Sequence, residues 1–230
     1  MRERARGAKK SRPAEKSNRL RSVKSGRDRA SYHHGNLRAA LIAAALHILQ
    51  TEGVAALTLR GAARAAGVSQ AAPYRHFADK EALLAAVAEE GFHALSAAVE
   101  VAVQAVGSEY LLRFRAQGAA YVRFAVEHPA QFRLMFGGDL ADHSKHPGLK
   151  AAADRTFEDL VAAVQGGHQA GMIRNGVVLD QAMAAWSMVH GLSSLLVDGQ
   201  LSSEGEALEE FGFRVLQYLF VGLRHETIHL

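Results

Sequence analysis

The sequence predicts an all-α protein of about nine helices, in which a small N-terminal three-helix part is joined by one long helix to a larger C-terminal helical part. Three observations carry that prediction. Apolar residues recur at three- and four-residue spacing through most of the chain after Asn36. Thr, Ser, Asp or Pro stands where such runs begin, and Gly stands where they stop. The alternation that marks a strand is missing; its nearest approach, GVVL at 176–179, is too short to build a sheet.

The first helix carries Leu37, Leu41, Ala44, Ala45, Ile48 and Leu49 on one face, and Gly53 stops it. Thr58 reads as the N-cap of LRGAARAA, which runs to Gly67 as its C-terminal glycine. Ser69 caps a short segment, and Asp79 caps a long helix that reaches about Val106. A helix over 109–127 follows Gly107-Ser108, and Pro129 opens a short helix that ends at Gly137-Gly138. Residues 138–148, GDLADHSKHPG, read as a loop. Helical spacing returns from about Leu149 to Gln165, where GGHQAG ends it. Asp180 caps the next helix, to about Val197, and a last one covers about 204–224. No repeat recurs at a fixed period.

About half of the 230 residues are apolar, enough for a substantial core. There is no cysteine, which excludes disulfides, thiolate zinc sites and thiol nucleophiles. The start, MRERARGAKK, lacks the apolar segment of a secretory signal. No run approaches the ~20 apolar residues of a membrane span, so a cytoplasmic protein with no membrane partner is expected. The net charge of +4 is uneven: residues 1–30 hold twelve Lys or Arg against three acids, leaving about −5 for the rest. Residues 1–30 are expected to be a basic, disordered tail, either simply solvated or also reaching nucleic-acid phosphates.

Residues 58–77 read as helix, three-residue turn, helix. Gly67 supplies the left-handed conformation that ends the first helix. Val68 plugs a small core of Leu41, Ala45, Leu57, Ala62 and Phe77, and Ala62, Ala63, Ala65 and Ala66 let the helices cross closely. Val68, the Tyr74 ring and Phe77 are expected to hold the second helix down, with Ser69, Gln70, Ala71 and Arg75 facing outward. The N-terminal residues of such a helix meet base edges in the major groove. Gln pairs in a bidentate way with adenine, Arg with guanine, and Ala touches a thymine methyl. Tyr74, His76 and Lys80 have polar tips suited to phosphates, as do the backbone N–H groups after Asp79. Pro73 removes one donor and disfavours the α conformation at Ala72, which predicts a distorted first turn.

The stretches LRAALIAAALHILQTEGVAALTLR and ARAAGVSQAAPYRHFADKEALL carry a Gly-Val-Ser turn, Tyr74-x-His76-Phe77 and Lys80-Glu81-x-Leu83 at a recognisable spacing, with YHHGN at 32–36 just ahead. Residues 36–84 thereby resemble the DNA-binding domain of the tetracycline-repressor (TetR) family of bacterial regulators. Pro73 stands where most members have Leu. The resemblance implies a helix-turn-helix domain over 31–84 and a ligand-binding and dimerisation domain over 85–230. It also implies a homodimer on palindromic operator DNA, and a nucleoid-associated repressor released by a small molecule. Thr58, Tyr74, His76 and Lys80 fall at the family's backbone-contacting places, and Ser69, Gln70, Ala71 and Arg75 at its reading places.

In the C-terminal part, AWSMVHGLSSLLVDGQL at 185–201 holds Trp186, His190 and Gly191 in a Trp-x3-His-Gly pattern. It resembles the effector domain of a TetR subgroup known by that signature. Trp186 and His190 share a helix face. They form either a satisfied core pair or the wall of a ligand cavity, with His190 as its polar handle. Phe114, Tyr121 and Phe124, then Phe132, Met135 and Phe136, then Phe157 and Met183 are the other candidates for that wall, each of which could equally be plain core. The expected effector is small and hydrophobic or aromatic. The last helix is apolar on two sides, one stripe holding Phe213, Leu216, Phe220 and Leu223 and another Phe211, Val215, Leu219 and Gly222. A helix of that kind is buried on both sides, one of them against a partner subunit. Gly191, Ser194 and Gly212 allow close approach in a two-fold, four-helix interface.

No enzyme constellation is visible: there is neither a Gly-rich phosphate loop nor Gly-x-Ser-x-Gly. His143 and His146 with Asp139 and Asp142 could suggest zinc, as could His225 and His229, but acids and His in such a loop or terminus are more often solvated. No cofactor, metal or catalytic residue is expected. The alternative function is an architectural DNA-binding protein that uses the basic tail and has no ligand control, and it would bind with steep salt dependence and little sequence preference.

Overall fold

Caps and stops set the boundaries of the elements. The computed structural model describes residues 37–140, 142–201 and 208–223, so the expectations for the 1–30 tail, for YHHGN and for His225 and His229 lie outside the described residues. Helix α1, Leu37–Glu52, ends at Gly53 with φ 83° and leads into a 3-10 turn, Val54–Ala56. Helix α2, Leu59–Ala65, starts where the Thr58 hydroxyl oxygen accepts from the Gly61 N–H at 2.9 Å. Helix α3, Lys80–Ala105, starts where the Asp79 carboxylate accepts from the Ala82 N–H at 2.8 Å. Each cap satisfies a backbone donor that has no partner inside its own helix.

Gly107 (φ 78°) leads into α4, Tyr110–Glu127, which is followed by α5, Pro129–Phe136. The expected loop folds into two 3-10 turns, Gly138–Leu140 and His143–Lys145. Helix α6 spans Pro147–Gln169, longer than the sequence predicts, because the helix continues through Gly166 and Gly167. Gly167 tolerates this since it backs onto the Tyr110 ring, where a side chain would collide. Helix α7, Val178–Val197, begins before Asp180, which therefore lies in the first turn rather than at the cap and still meets the positive end of the helix dipole. Helix α8 covers Leu208–Leu223.

Among the described residues the protein is all-α, with eight α-helices and no β-strand. The ninth predicted helix, 69–77, is instead a turn followed by a 3-10 element, Pro73–Arg75. The expected boundary near residue 84 falls inside α3, which passes it without a break. At 1.5 Å per residue α3 is about 39 Å long. Its N-terminal turns close the small core with Leu41, Leu57 and Leu83, all fully buried. Further along it packs on α4, α5 and α6, while α4 packs on α7 and α8. Gly91 is the crossing point of α3 and α5: a β-carbon there would sit 2.6 Å from Met135 Sδ. Beside it the buried Gln131 side chain donates to the Val87 carbonyl at 3.0 Å. By length and composition α3 could cross a membrane, contrary to expectation, because its many alanines count as apolar; half of that stretch is buried inside the fold, as in a core helix.

The last helix meets the rest through Gly212 and Leu216, both buried, with Leu216 reaching within 3.2 Å of where a β-carbon of Gly118 would stand. Tyr218 and Val221 are exposed at 73% and 58%. The side chains of Phe213, Leu219, Phe220 and Leu223, on which the two-stripe expectation partly rests, lie outside what is described.

Candidate functional site

Two places gather the residues singled out from the sequence. The first is the segment between α2 and α3. Gly67, with φ 69°, closes α2: its N–H bonds the Arg64 carbonyl at 3.1 Å and the Val68 N–H bonds the Ala63 carbonyl at 3.0 Å. That pair is the Schellman arrangement of a helix C-terminus. The chain then tightens. The Ala72 N–H bonds Ser69 O at 3.0 Å, Arg75 N–H bonds Ala72 O at 3.3 Å, and His76 N–H bonds Pro73 O at 2.9 Å. These are three-residue closures, the 3-10 pattern. Pro73 cannot donate, so the four-residue ladder lacks a rung where an α-helix would need it.

Two expectations for this segment are corrected. Ala72 takes the α conformation (φ −62°, ψ −42°) despite the proline after it. The contact that outweighs the local preference is the Pro73 ring, which is fully buried. Tyr74 does not hold the segment down: it is 53% exposed, because a proline turned inward sends its neighbour outward. Pro73 and Phe77 anchor the segment, with Val68 half-buried. The Arg38 guanidinium lies 5.8 Å from the centre of the Phe77 ring.

Ser69, Gln70, Ala71, Arg75, His76 and Thr58 are all exposed. Thr58 also caps α2, so its hydroxyl oxygen already accepts one backbone N–H. Lys80 is half-buried, and its ammonium donates to the Val54 carbonyl at 2.7 Å. It fastens the turn before α2 to the start of α3, a role the sequence spacing did not show.

The second place is a cavity of about 1430 Å³, walled mainly by α3, α4, α6 and α7. Of the wall candidates, Phe114, Tyr121, Phe136, Phe157, Met183 and Trp186 line it. Phe124, Phe132 and Met135 do not; they are buried in the core, where Phe132 meets Tyr121 edge-on at 6.0 Å and Phe124 lies 4.9 Å from the His128 ring. Spacing along α4 and α5 puts residues on an apolar face without saying whether that face meets a neighbouring helix or a void. Phe92 and Tyr110 also line the cavity and were missed, as were Ser96 and Thr156. Their signal was weak: single residues on mostly alanine or charged stretches.

His190 is not in the wall but directly behind it. Its ring lies 4.7 Å from Phe136 and 5.6 Å from Trp186, and its Nδ1 is 2.9 Å from the Tyr121 oxygen. Burial pushes the Tyr121 pKa well above the ordinary tyrosine value. Burial pushes the His190 pKa down. Both shifts favour the neutral forms of the pair. Burial also raises Tyr110, to about 12, and its hydroxyl donates to the Ala163 carbonyl at 2.8 Å.

Of the loop residues considered for zinc, the side chain of Asp139 lies outside what is described, and the other three have separate partners. The Asp142 carboxylate caps Ser144 N at 3.1 Å, His146 pairs with Glu81 at 3.3 Å, and His143 rests edge-on against Phe92 at 6.2 Å.

Residues 41–87 match the family described as bacterial regulatory proteins, tetR family, and residues 114–217 match the tetracyclin repressor-like C-terminal domain. A nucleoid occlusion factor, SlmA, of Marinobacter nauticus is 28% identical over 142 residues, which is 61% of this chain and 70% of that protein. A Rhodococcus protein of unknown function has a similar structure at 37% identity, with a TM-score of 0.73 over 84% of this chain and 98% of the other. The regulator PfmR of Thermus thermophilus shares the fold at 24% identity, with a TM-score of 0.61 over 80% of this chain and 99% of its own. Both halves of the match, the segment between α2 and α3 with its neighbours and the helices around the cavity, lead to one conclusion: this chain belongs to the TetR family of bacterial regulatory proteins.

Proposed function

We propose that this regulator is a homodimeric repressor that reads a palindromic operator through Ser69, Gln70, Ala71 and Arg75 and leaves it when a small hydrophobic molecule fills the cavity. Thr58, Tyr74, His76 and Lys80 hold the DNA backbone beside the reading residues. Trp186, Tyr121, Phe114, Phe136, Phe157 and Met183 form the effector wall, with His190 as the polar support behind it. The Trp186, His190 and Gly191 pattern assigns it to the Trp-x3-His-Gly subgroup. A regulator of this kind works beside the chromosome, in the cytoplasm.

The observation that carries this reading is α3. One helix has its first turns in the reading part and its later turns on the cavity wall. Support for the dimer comes from α7 and α8. Ala184, Met188, Gly191 and Leu195 recur at helical spacing on α7, with Met188 36% and Leu195 40% exposed, and Tyr218 and Val221 stand free on α8. Two such pairs of helices related by a two-fold axis bury these faces in a four-helix contact. The test is a gel shift on the DNA upstream of the protein's own gene, with and without a panel of hydrophobic compounds. A retarded band that a compound releases supports the proposal. Retardation of random DNA equal to that of upstream DNA, or indifference to every compound, contradicts it.

A further inference from the structure

We propose that the middle of α6 is the door of the cavity, held shut by the contact between the Ser96 and Thr156 hydroxyls. The proposal rests on the cavity being the effector site and names the way into it.

Both ends of α6 are fixed. At the N-terminal end Leu149 and Ala152 are buried, the Glu89 carboxylate lies against Gly148, and His146 pairs with Glu81 at 3.3 Å. At the C-terminal end Val164 and Gly167 are buried, and the Tyr110 hydroxyl donates to the Ala163 carbonyl at 2.8 Å. Between these anchors residues 153–163, about three turns, hold no buried residue. A helix laid on a filled core buries a stripe along its whole length. Here even Phe157 and Leu160, which pack on the core around Phe114, are only half-buried. The space they leave is the cavity.

The void also passes round the helix. Asp154, Arg155, Thr156, Phe157 and Glu158 are consecutive, and five consecutive residues point in every direction around an α-helix. All five line the void. It therefore runs from the buried Phe114 and Tyr121, past α6, to the exposed Glu158 and to the exposed His93 and Glu100 on α3. Among the described residues, the hydrogen bond that ties 153–162 to another helix joins Ser96 Oγ and Thr156 Oγ1, at 3.1 Å. The ion pairs of this stretch, Lys150 with Asp154 and Arg155 with Asp159, stay inside α6. Parting one hydroxyl pair thus lets three turns of helix tilt outward on fixed ends and close again without refolding.

The test exploits a chain without cysteine. Ser96→Cys/Thr156→Cys puts two thiols where the oxygens stand 3.1 Å apart, close to the span of a disulfide. Loss of free thiol confirms that the bond has closed. The probe is N-phenyl-1-naphthylamine, a neutral hydrophobic dye, mixed with the full chain in a stopped-flow fluorimeter. Trp186 is the only tryptophan and lines the cavity, so energy transfer from it reports a dye at the wall. Oxidation of the double variant should slow entry of the dye at least about tenfold relative to the same protein in dithiothreitol, since entry needs the helix to move. Ser96→Ala/Thr156→Val, which cannot form the latch, should quicken entry and exit several-fold with an unchanged helical signal. Equal entry rates with the disulfide closed and open overturn the door while leaving the cavity as the effector site, and so do wild-type rates without the latch. If the dye draws no energy from Trp186 in the wild type, the cavity reading itself fails, and the door with it.

Discussion

Single side chains in this protein have double duties, and substitutions separate them. Gln70 is exposed, so Gln70→Ala should leave the melting temperature unchanged. It should weaken operator binding by about 1–3 kcal/mol and relax preference at one base pair. Anisotropy titrations against single-base operator variants measure both; an unchanged preference would exclude Gln70 as a reader. Lys80 behaves differently because its ammonium is already bonded to Val54 O. Lys80→Ala should cost about 1–2 kcal/mol in urea unfolding, from the lost charge-assisted bond. It should also weaken all DNA sequences alike and flatten the salt slope by about one unit. His190 gives a pH signature. Its pKa is depressed in the folded protein, so the unfolded chain takes the proton first as the pH falls. The stability due to neutral His190 is complete above its ordinary value of about 6.5 and is lost as the pH falls through the folded value. Melting curves from pH 8 to pH 5 should therefore drop more steeply for the wild type than for His190→Gln; parallel curves would assign the acid sensitivity to other groups.

The elements were legible where local chemistry decides them. Thr58, Asp79, Gly67 and Gly107 mark boundaries that depend on a cap or a positive φ, and the helices begin and end there in the structure. Elsewhere a longer-range contact decides. Nothing in the local pattern of 69–77 says that a proline ring will be swallowed by the core, yet that burial turns an expected helix into a 3-10 turn and swings Tyr74 outward. The cavity shows the same limit. Phe136 lines it and Met135 does not, although the two are adjacent on one short helix, because Met135 is the residue that faces Gly91 across the α3 crossing. A substitution tests the account of the reading segment. Pro73→Leu keeps an apolar plug and restores the missing N–H, which can then close on Ser69 O in the four-residue pattern. Carbon chemical shifts over 70–76 should move toward α-helix, and the amide of residue 73 should become protected from exchange. Shifts that stay where they are would mean that packing, and not the absent donor, holds the 3-10 form.

At the scale of the whole molecule, the proposed operator binding depends on two copies. Two recognition segments must stand about 34–36 Å apart, or a multiple of that, to enter successive major grooves on one side of a duplex. Leu195 is 40% exposed on the α7 face assigned to the partner, so Leu195→Glu adds a charge to solvent in a single protomer but buries it unpaired in a dimer. Sedimentation should show a monomer, circular dichroism an unchanged helical signal, and gel shifts a loss of tight operator binding; a variant that remains dimeric would remove this face from the interface. The unbroken run of α3 from Lys80 to Ala105 then acquires a mechanical meaning. A stiff rod about 39 Å long has leverage. Tilting it by about 5° at the cavity carries its far tip by roughly 3 Å, close to the 3.4 Å rise of one base pair. In a dimer the two tips swing in opposite senses, so their displacements add. In the proposed dimer, a guest that shifts the wall by no more than a side chain's breadth would put the two proposed reading segments out of step with the groove.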